Sequence, residues 1–388
     1  MIPYSRQTIS ADDVREVVKT LKSPFVTQGP KIAEFESSLR HYSGAKYAVA
    51  FSSGTAALHT AYFAAGIGKG NEVITTPLTF ASTATMIIAC GGKPVFADID
   101  SRTGNLDTKE AERKINRKTK AIVAVDYAGL PCDIDALRRL ARKHKLVFIE
   151  DAAHALGAEY HGKKVGASAD MTMFSFHPVK SITTGEGGAI LTNSREYYEK
   201  LMMFRSHGLT KDSSKLVLKT HASWHQEMQM FGFNYRLTDI QASLGISQMR
   251  KLDSFIKKRR LAAARYRRLL FDVPGLTLPA ETRDRNSSYH LFAVRIASKK
   301  NNARDIIFEA LRKAGIGVQV HYLLVYMHPF YKKLGYHRGL CPKAEAFSAA
   351  EISIPLFPTI TLGEQKLVAD ELKKALSAVS ASKGKVRA

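Results

Sequence analysis

Short apolar segments alternate with segments of helical periodicity through the first half of the chain. The apolar segments have the length and composition of buried strands and are YAVAF (47–51), EVITT (72–76), PVFADI (94–99), KAIVAVDY (120–127), LVFIED (146–151), MTMFSF (171–176) and GGAILT (187–192). Between them, residues 79–90 and 133–145 are typical of helices. This alternation predicts an α/β fold with a mostly parallel sheet covered by helices.

The pattern changes in the second half of the chain. A long helix is predicted from about Leu237 to Phe271, where VPGLTLP ends it. The elements predicted after it are a strand at 289–296, a helix at 303–314, a strand at 317–322 and a helix at 362–379. They indicate a smaller α+β domain. We therefore expect a large domain over residues 1–255 and a small C-terminal domain over 256–388, with the tail SASKGKVRA frayed.

Length and composition agree with two globular domains, because 388 residues with 45% apolar content can bury a sizeable core. No apolar run is long enough to cross a bilayer, and the N-terminus lacks the pattern of a signal peptide. Cys90, Cys132 and Cys341 lie far apart and form no CxxC pair. They indicate reduced thiols of a cytoplasmic protein, and the sequence suggests no metal site.

The formal net charge of +23 favours anionic ligands. Nucleic acid, a phosphorylated cofactor and a diphosphate substrate would all satisfy it. Basic clusters at Lys257–Arg260 and Arg265–Arg268 fall in the predicted long helix, where a solvated helix face is the ordinary interpretation. Since no nucleic-acid-binding motif accompanies them, we expect neither a nucleic-acid partner nor a membrane partner.

Three predicted strands end next to residues that could carry chemistry. Thr55 follows the first strand, Asp151 ends the strand LVFIED, and Lys180 lies shortly after MTMFSF. Taken singly, each has an ordinary explanation: SSGT, which contains Thr55, and Asp151 could each cap a helix, and Lys180 could be a surface lysine. Ligands of open α/β sheets gather at the carboxyl ends of the strands, so the three residues are expected to form one site.

Together these residue types suit pyridoxal phosphate. A lysine amine condenses with the cofactor aldehyde, and an aspartate keeps the pyridine nitrogen protonated so that the ring accepts electrons. The helix start SSGTAAL, with Gly54 and Thr55, offers amide groups to the phosphate, and Ser175 could add a hydrogen bond. Two further residues are candidates for ring contacts, Phe80 against the ring face and His154 against the ring hydroxyl.

The chain resembles the sugar aminotransferases of the DegT/DnrJ/EryC1/StrS family from about Pro3 to Glu351. The motifs that carry the resemblance are SSGTAAL, TPLTFASTATMI, VDYAG, EDAAHALGAEY, SFHPVKSITTGEGGA, FRSHG and FNYRLTDIQASLG. The resemblance implies a fold-type I, aspartate aminotransferase-like enzyme that is a homodimer with shared active sites. It implies that Lys180 is the catalytic lysine, that Asp151 pairs with the pyridine nitrogen, and that pyridoxamine phosphate is the intermediate cofactor form.

The resemblance also implies that Asn234, which otherwise reads as a loop residue before a helix, reaches the phosphate in the neighbouring subunit. FRSHG (204–208) either shapes the mouth of the site or only ends a helix at Gly208. Arg236, His321 and Tyr322 are candidate substrate contacts, although His321 could equally be a packed residue at a strand end.

Within the family, WHQEMQMFGFNYRLTDIQASLGISQMRKLD and VQVHYLLVY look most like the transaminases of pseudaminic acid biosynthesis. This similarity implies transfer of an amino group from L-glutamate to C4 of UDP-2-acetamido-2,6-dideoxy-β-L-arabino-hex-4-ulose. Two alternatives stay open: amination of another nucleotide-linked keto sugar at C3 or C4, and a non-catalytic regulator that binds pyridoxal phosphate.

Overall fold

The computed structural model describes residues 1–218, 222–298, 300 and 302–381, so most of the tail predicted to be frayed lies outside the described residues. The α-helices are α1 Ala11–Leu21, α2 Pro30–Ser43, α3 Gly54–Ala64, α4 Ala81–Ala89, α5 Thr108–Arg113, α6 Ile134–Lys143, α7 Arg195–Arg205, α8 Asp239–Met249, α9 Leu252–Leu269, α10 Ala303–Lys313, α11 Pro329–Lys333, α12 Pro342–Ala350 and α13 Leu362–Ala381. Within these residues no helix combines the length and apolar character that a bilayer span needs.

The strands are β1 Tyr47–Phe51, β2 Glu72–Thr75, β3 Lys93–Phe96, β4 Thr119–Val125, β5 Val147–Asp151, β6 Glu159–Tyr160, β7 Lys163–Lys164, β8 Met171–Ser175, β9 Gly188–Thr192, β10 Leu209–Thr210, β11 Glu227–Met228, β12 Leu276–Thr277, β13 Arg285–Asn286, β14 Phe292–Ile296 and β15 Glu351–Ile354. The central sheet has seven strands in the order β1-β9-β8-β5-β4-β2-β3. Only β9 runs against the others, since it pairs antiparallel with both β1 and β8. The predicted α/β class with a mostly parallel mixed sheet is confirmed.

Local sequence explains how the helices cover this sheet. In α6, Asp133 caps the first turn by accepting a hydrogen bond from the Ala136 amide. The buried residues of α6 are Ile134, Leu137, Leu140 and Ala141, which share one face of the helix. Strand β4, with five buried residues in succession, matches the continuous apolar run expected of a strand that is covered on both faces.

The small unit is built around the sheet β12-β14-β15, with α10 and α13 packed together beside it. Helix α9 joins it to the large unit. The N-terminal part of α9 packs Phe255 and Ile256 into a core beneath the large sheet. Ala262 and Tyr266, farther along, pack into the core of the small unit. The change of partner falls between Ile256 and Ala262, close to the division into residues 1–255 and 256–388, which stays a prediction.

Two predictions for the second half need correction. The helix predicted from Leu237 to Phe271 is two helices, because the chain breaks at Arg250 and Lys251. The Lys251 ammonium binds the buried Asp13 carboxylate at 2.7 Å at this break. The strand predicted at 317–322 makes only an isolated bridge from Gln319 to Ser353. The pairing does not extend beyond this bridge, because the His321 amide donates to the Glu351 carboxylate at 2.7 Å and not to a neighbouring strand.

The basic cluster Lys257–Arg260 is only partly a solvated helix face. Lys257 and Lys258 are exposed, whereas Arg259 is buried at 1% exposure. The helical period explains the difference, since position 259 lies on the same side of α9 as the buried Phe255, Ala262 and Tyr266.

Candidate active site

A cavity of about 440 Å³ lies at the carboxyl ends of the central strands. Its lining includes most of the residues that the sequence singled out: Gly54, Thr55, Phe80, Asp151, His154, Ser175, Lys180, His321 and Tyr322. Strands β5 and β8 end at Asp151 and Ser175, and helix α3, which follows β1, begins at Gly54. The topology therefore brings together residues that are far apart in the chain, as expected for an open α/β sheet.

One end of the cavity is formed by the first turn of α3. Ser53 caps the helix by accepting a hydrogen bond from the Ala56 amide at 3.1 Å. The first-turn amides of a helix have no intrahelical partners and attract an anion. Two glycines let strands β8 and β9 pack closely against this turn: a Cβ added to Gly54 would lie 3.2 Å from the Ser175 Cβ, and one added to Gly188 would lie 2.7 Å from the Gly54 amide nitrogen. This close-packed cradle fits a phosphate group.

Asp151 is buried and its carboxylate is held by two donors. Thr83 donates from its hydroxyl to Oδ2 at 2.7 Å, and the Ala153 amide donates to Oδ1 at 3.3 Å. Burial raises the pKa of the Asp151 carboxyl, while the Thr83 hydroxyl, the Ala153 amide and the charge of Lys180 oppose that rise. Two fixed donors and a nearby cation thus favour the ionised form that a protonated ring nitrogen requires.

Lys180 follows a tight turn in which its amide donates to the His177 carbonyl at 2.9 Å. Burial lowers the pKa of the Lys180 amine to about 8, and the Asp151 charge partly opposes the shift. A sizeable fraction of neutral amine at physiological pH is what a nucleophile or a base needs. Together with the α3 cradle and Asp151, this lysine completes a set of groups that fits pyridoxal phosphate.

Another part of the cavity wall carries aromatic and imidazole side chains. His154 is buried, and its Nε2 lies 3.0 Å from the Tyr322 hydroxyl. Burial lowers the pKa of His154 well below its ordinary value, so the ring is neutral. His321 is also neutral, because burial lowers its pKa to about 3. Phe80 differs from these residues in being 62% exposed, with its ring centroid 6.3 Å from that of Tyr322.

Two predicted site residues lie outside this cavity. Asn234 is exposed and its backbone bridges to Ser206, while Arg236 bridges to Phe51. Neither is among the residues that line the cavity of its own chain. The segment FRSHG also lies outside it and ends a helix: the Gly208 amide donates to the Met203 carbonyl at 2.8 Å, with φ of 69° at Gly208.

Sequence reasoning missed Thr83 and His290. Thr83 could have been found, because Thr79 and Thr83 lie one helical turn apart in TPLTFASTATMI. The two hydroxyls are hydrogen-bonded at 2.8 Å. His290 lies within the apolar run YHLFAVRI, and nothing in that run distinguishes it from a packed core residue.

A buried pair of carboxyl groups lies behind Asp151. Asp126 and Glu150 place oxygen atoms within 4.8 Å of each other and of the Cys132 sulfur. Asp126 accepts a hydrogen bond from the Cys132 amide at 2.8 Å, and Glu150 accepts one from the Thr172 hydroxyl at 2.9 Å. Burial raises the pKa of both carboxyl groups, that of Glu150 to about 7. Asp126 Oδ2 and Glu150 Oε1 have no hydrogen-bond partner among the described residues, and one proton shared between the two acids would satisfy both.

Comparison with known proteins establishes the family. Residues 7–373 match the DegT/DnrJ/EryC1/StrS aminotransferase family. The chain therefore belongs to this family, and it is a sugar aminotransferase of the fold-type I class whose cofactor is pyridoxal phosphate.

Named relatives cover nearly the whole chain. A UDP-4-amino-4,6-dideoxy-N-acetyl-β-L-altrosamine transaminase of Campylobacter jejuni is 41% identical over 98% of this chain and 98% of the relative. The spore coat polysaccharide biosynthesis protein SpsC of Bacillus subtilis is 39% identical over 93% of each chain. Among solved structures, Helicobacter pylori PseC, an aminotransferase involved in the biosynthesis of pseudoaminic acid, is 38% identical with a TM-score of 0.91, covering 97% of this chain and 99% of PseC.

Proposed function

We propose that this aminotransferase moves an amino group from L-glutamate to C4 of UDP-2-acetamido-2,6-dideoxy-β-L-arabino-hex-4-ulose, a step of pseudaminic acid biosynthesis. The observation that carries the proposal is the joint presence of Lys180 and Asp151 in one cavity beside the α3 cradle. The names of the Campylobacter and Helicobacter relatives support the choice of sugar.

Each residue of the set has a task that follows from its surroundings. Pyridoxal phosphate, when bound, would supply an electron sink that makes the Cα–H bond of the amino donor acidic. The neutral amine of Lys180 takes the Cα proton, since burial lowers its pKa to about 8. Asp151 would accept a hydrogen bond from the protonated ring nitrogen. Gly54, Thr55 and Ser175 would hold the phosphate, and Phe80 would cover the ring face.

The sugar nucleotide is proposed to enter from the side of the cavity that His321 and Tyr322 line. His321 is fixed by the Ser353 hydroxyl, 2.8 Å from its Nδ1. A UDP diphosphate carries two negative charges that suit a protein with a net charge of +23. Arg236 lies outside the cavity of its own chain, and we assign it to the mouth of the site in the assembled enzyme.

We further propose that the enzyme is a cytoplasmic homodimer with shared active sites and no nucleic-acid partner. Asn234 is exposed away from the cavity of its own chain, as a residue donated to a second copy would be. The surrounding segment also exposes large apolar side chains, namely Trp224 at 75%, Met228 at 62% and Phe231 at 58%. Apolar side chains exposed together are typical of a surface that a partner covers.

The test uses the visible absorbance of the bound cofactor. Purified protein loaded with pyridoxal phosphate is treated with L-glutamate, the glutamate is removed, and UDP-linked keto sugars are added one at a time. We expect glutamate to bleach the band and the L-arabino 4-keto sugar to restore it. The C5 epimer of that sugar and a 3-keto nucleotide sugar are the matched controls.

The outcomes separate the alternatives. Recovery of the band only with another nucleotide sugar would keep the aminotransferase and change its substrate, an outcome consistent with the Bacillus relative. A band that glutamate never bleaches, although it forms normally, would instead favour another donor or a non-catalytic regulator. Salt-sensitive retention on DNA would then support the regulator.

A further inference from the structure

His290 contributes a second buried imidazole to the wall of the cavity, directly against His154. The centroids of the two rings are 4.3 Å apart and their planes are inclined by 37°. His290 is 2% exposed and lines the cavity. Among the described residues, the Nδ1 atoms of both rings are buried without a hydrogen-bond partner. The His154 ring therefore has a hydrogen-bond partner only at Nε2 among the described residues. Packing against the His290 ring supplies the second restraint on its orientation.

The segment that carries His290 is held on one side by two arginines. We call residues 286–290 the histidine strap. The buried Arg259 donates from Nη1 to the carbonyls of Tyr289 and His290, both at 3.3 Å, and of Leu356 at 3.0 Å. Arg260 donates to the carbonyls of Ser287 at 2.9 Å and Asn286 at 3.3 Å.

Arg259 is unusual for a buried cation. Within the described part of the chain, all of its hydrogen-bond partners are backbone carbonyl oxygens. Burial lowers the pKa of Arg259 to about 10, which still leaves the guanidinium charged at neutral pH. Burying a charge without a counter-ion is costly. The contacts that offset this cost all fix the backbone next to His290 and the loop at Leu356.

On its other side the strap is fitted closely to the loops beneath the cofactor site. Ser288 donates from its hydroxyl to the His154 carbonyl at 2.7 Å and from its amide to the Gly129 carbonyl at 3.0 Å. Gly129 has φ of 93°, and a Cβ there would lie 2.2 Å from the Ser288 hydroxyl oxygen. Tyr289 is also in the left-handed region, with φ of 50°. The strap thus contacts both the backbone and the ring of His154.

We propose that His290 is a positioning residue for His154, and that Arg259 and Arg260 fix it by holding the histidine strap. His290 keeps the His154 ring oriented so that its Nε2 meets the Tyr322 hydroxyl at 3.0 Å. The inference rests on the proposed contact of His154 with the cofactor ring. It assigns to the small unit, which supplies the strap, a part in shaping the ring site of the large one.

The test compares His290→Ala and His290→Phe in protein loaded with pyridoxal phosphate. The readouts are the dissociation constant of the cofactor and the position of its visible absorption band. We expect His290→Ala to weaken binding about three- to tenfold, the worth of one aromatic packing contact, and to shift the band. His290→Phe keeps a packing ring and should restore both readouts. Ile307→Ala, a cavity in the small-unit core, controls for lost stability alone.

A double variant tests whether His290 acts through His154. If it does, His290→Ala should have no further effect on either readout once His154 is alanine. Additive effects would overturn the proposal, as would identical behaviour of His290→Ala and Ile307→Ala, or a His154→Ala protein with unchanged cofactor binding and spectrum. These readouts need no sugar acceptor, so a wrong substrate assignment leaves the comparison unaffected.

Should His290→Ala fail to fold, Arg260→Ala provides a second test, because it loosens the histidine strap and thereby the contact between His290 and His154. It releases the carbonyls of Ser287, Asn286 and Gly157, and Arg260 does not line the cavity. We expect the same direction of change in binding and spectrum, and the change should again vanish when His154 is alanine. A cofactor site unaffected by Arg260→Ala would contradict the role given to the strap.

Discussion

The Thr83 hydroxyl donates a hydrogen bond of 2.7 Å to the Asp151 carboxylate. It joins helix α4 to the end of strand β5, so a residue in the helix that follows Phe80 helps to keep ionised the carboxylate that would pair with the ring nitrogen of the cofactor. Thr79 lies 2.8 Å from the same hydroxyl and fixes its direction. Hydrogen bonds to an ionised acceptor are worth about 1.5–3 kcal/mol, roughly twice those between neutral groups.

Thr83→Val removes this donor while keeping the side-chain shape. The buried Asp151 carboxylate then loses a partner and ionises less readily. We expect the rate of the glutamate half-reaction to fall about ten- to hundredfold, measured by stopped-flow absorbance. Thr85→Val is the matched control, since that hydroxyl bonds the Ala81 carbonyl and Tyr331 instead. Equal rates for the two variants would contradict the role of Thr83.

Gly188→Ala should damage the phosphate cradle. The added Cβ would lie 2.7 Å from both the Cα and the amide nitrogen of Gly54, so β9 and the start of α3 must separate. Overpacking of this kind costs about 1–3 kcal/mol. We expect cofactor affinity to fall by about tenfold or more in equilibrium dialysis. Gly68→Ala has open space around its Cβ and should bind the cofactor as the wild type does.

Lys180→Met should abolish turnover and stabilise the cofactor-free protein. Burial lowers the folded-state pKa of this amine from 10.5 to about 8, so unfolding favours the charged form. Wild-type stability is therefore expected to rise between pH 8 and 10.5, where the unfolded chain binds more protons. The variant lacks this dependence, and at pH 7 it should melt above the wild type. Calorimetry at pH 7 and pH 10 checks the difference, and equal melting temperatures at pH 7 would disprove the buried-amine penalty.

Glu150→Gln should change how stability depends on pH. The folded-state pKa of Glu150 is raised from 4.5 to about 7, so the wild type loses stability as pH rises through that interval. The glutamine keeps partners in Thr172 and Asp126 but never ionises. We expect the free energy of unfolding of the variant to exceed that of the wild type by on the order of 2 kcal/mol at pH 8, and by little at pH 5. Denaturant unfolding measures this difference in free energy, and Glu34→Gln on the surface is the control. A difference between variant and wild type that does not change with pH would refute the shared proton.

The strands of the large unit were predictable because each is a short buried run between helices. YAVAF coincides with β1, and the other six central strands differ from their predicted bounds only at their ends. The second half was less predictable, since side chains decide its backbone. The Glu351 carboxylate accepts the hydrogen bond of the His321 amide, which therefore does not pair with a strand. The ion pair of Lys251 with Asp13 lies at the break between α8 and α9.

The site divides in the same way. Lys180, Asp151 and the SSGT turn could be found because strand ends meet at one edge of a parallel sheet. His290 could not, because its role depends on Arg259, a member of a basic cluster whose burial only the packing of α9 reveals. Asn234 and Arg236 stay predictions, since both lie away from the cavity of their own chain.

Mixing two inactive variants tests the shared active site. Lys180→Ala lacks the amine, and Asn234→Ala lacks the residue proposed to reach the neighbouring subunit. If Asn234 serves the partner's cavity, a mixed dimer contains one site with an intact Lys180 and an intact Asn234. Co-refolding the two variants in equal amounts should then restore about a quarter of wild-type activity, because half of the dimers are mixed and each has one complete site. If Asn234 acts within its own chain, no mixture recovers activity above the sum of the separate variants.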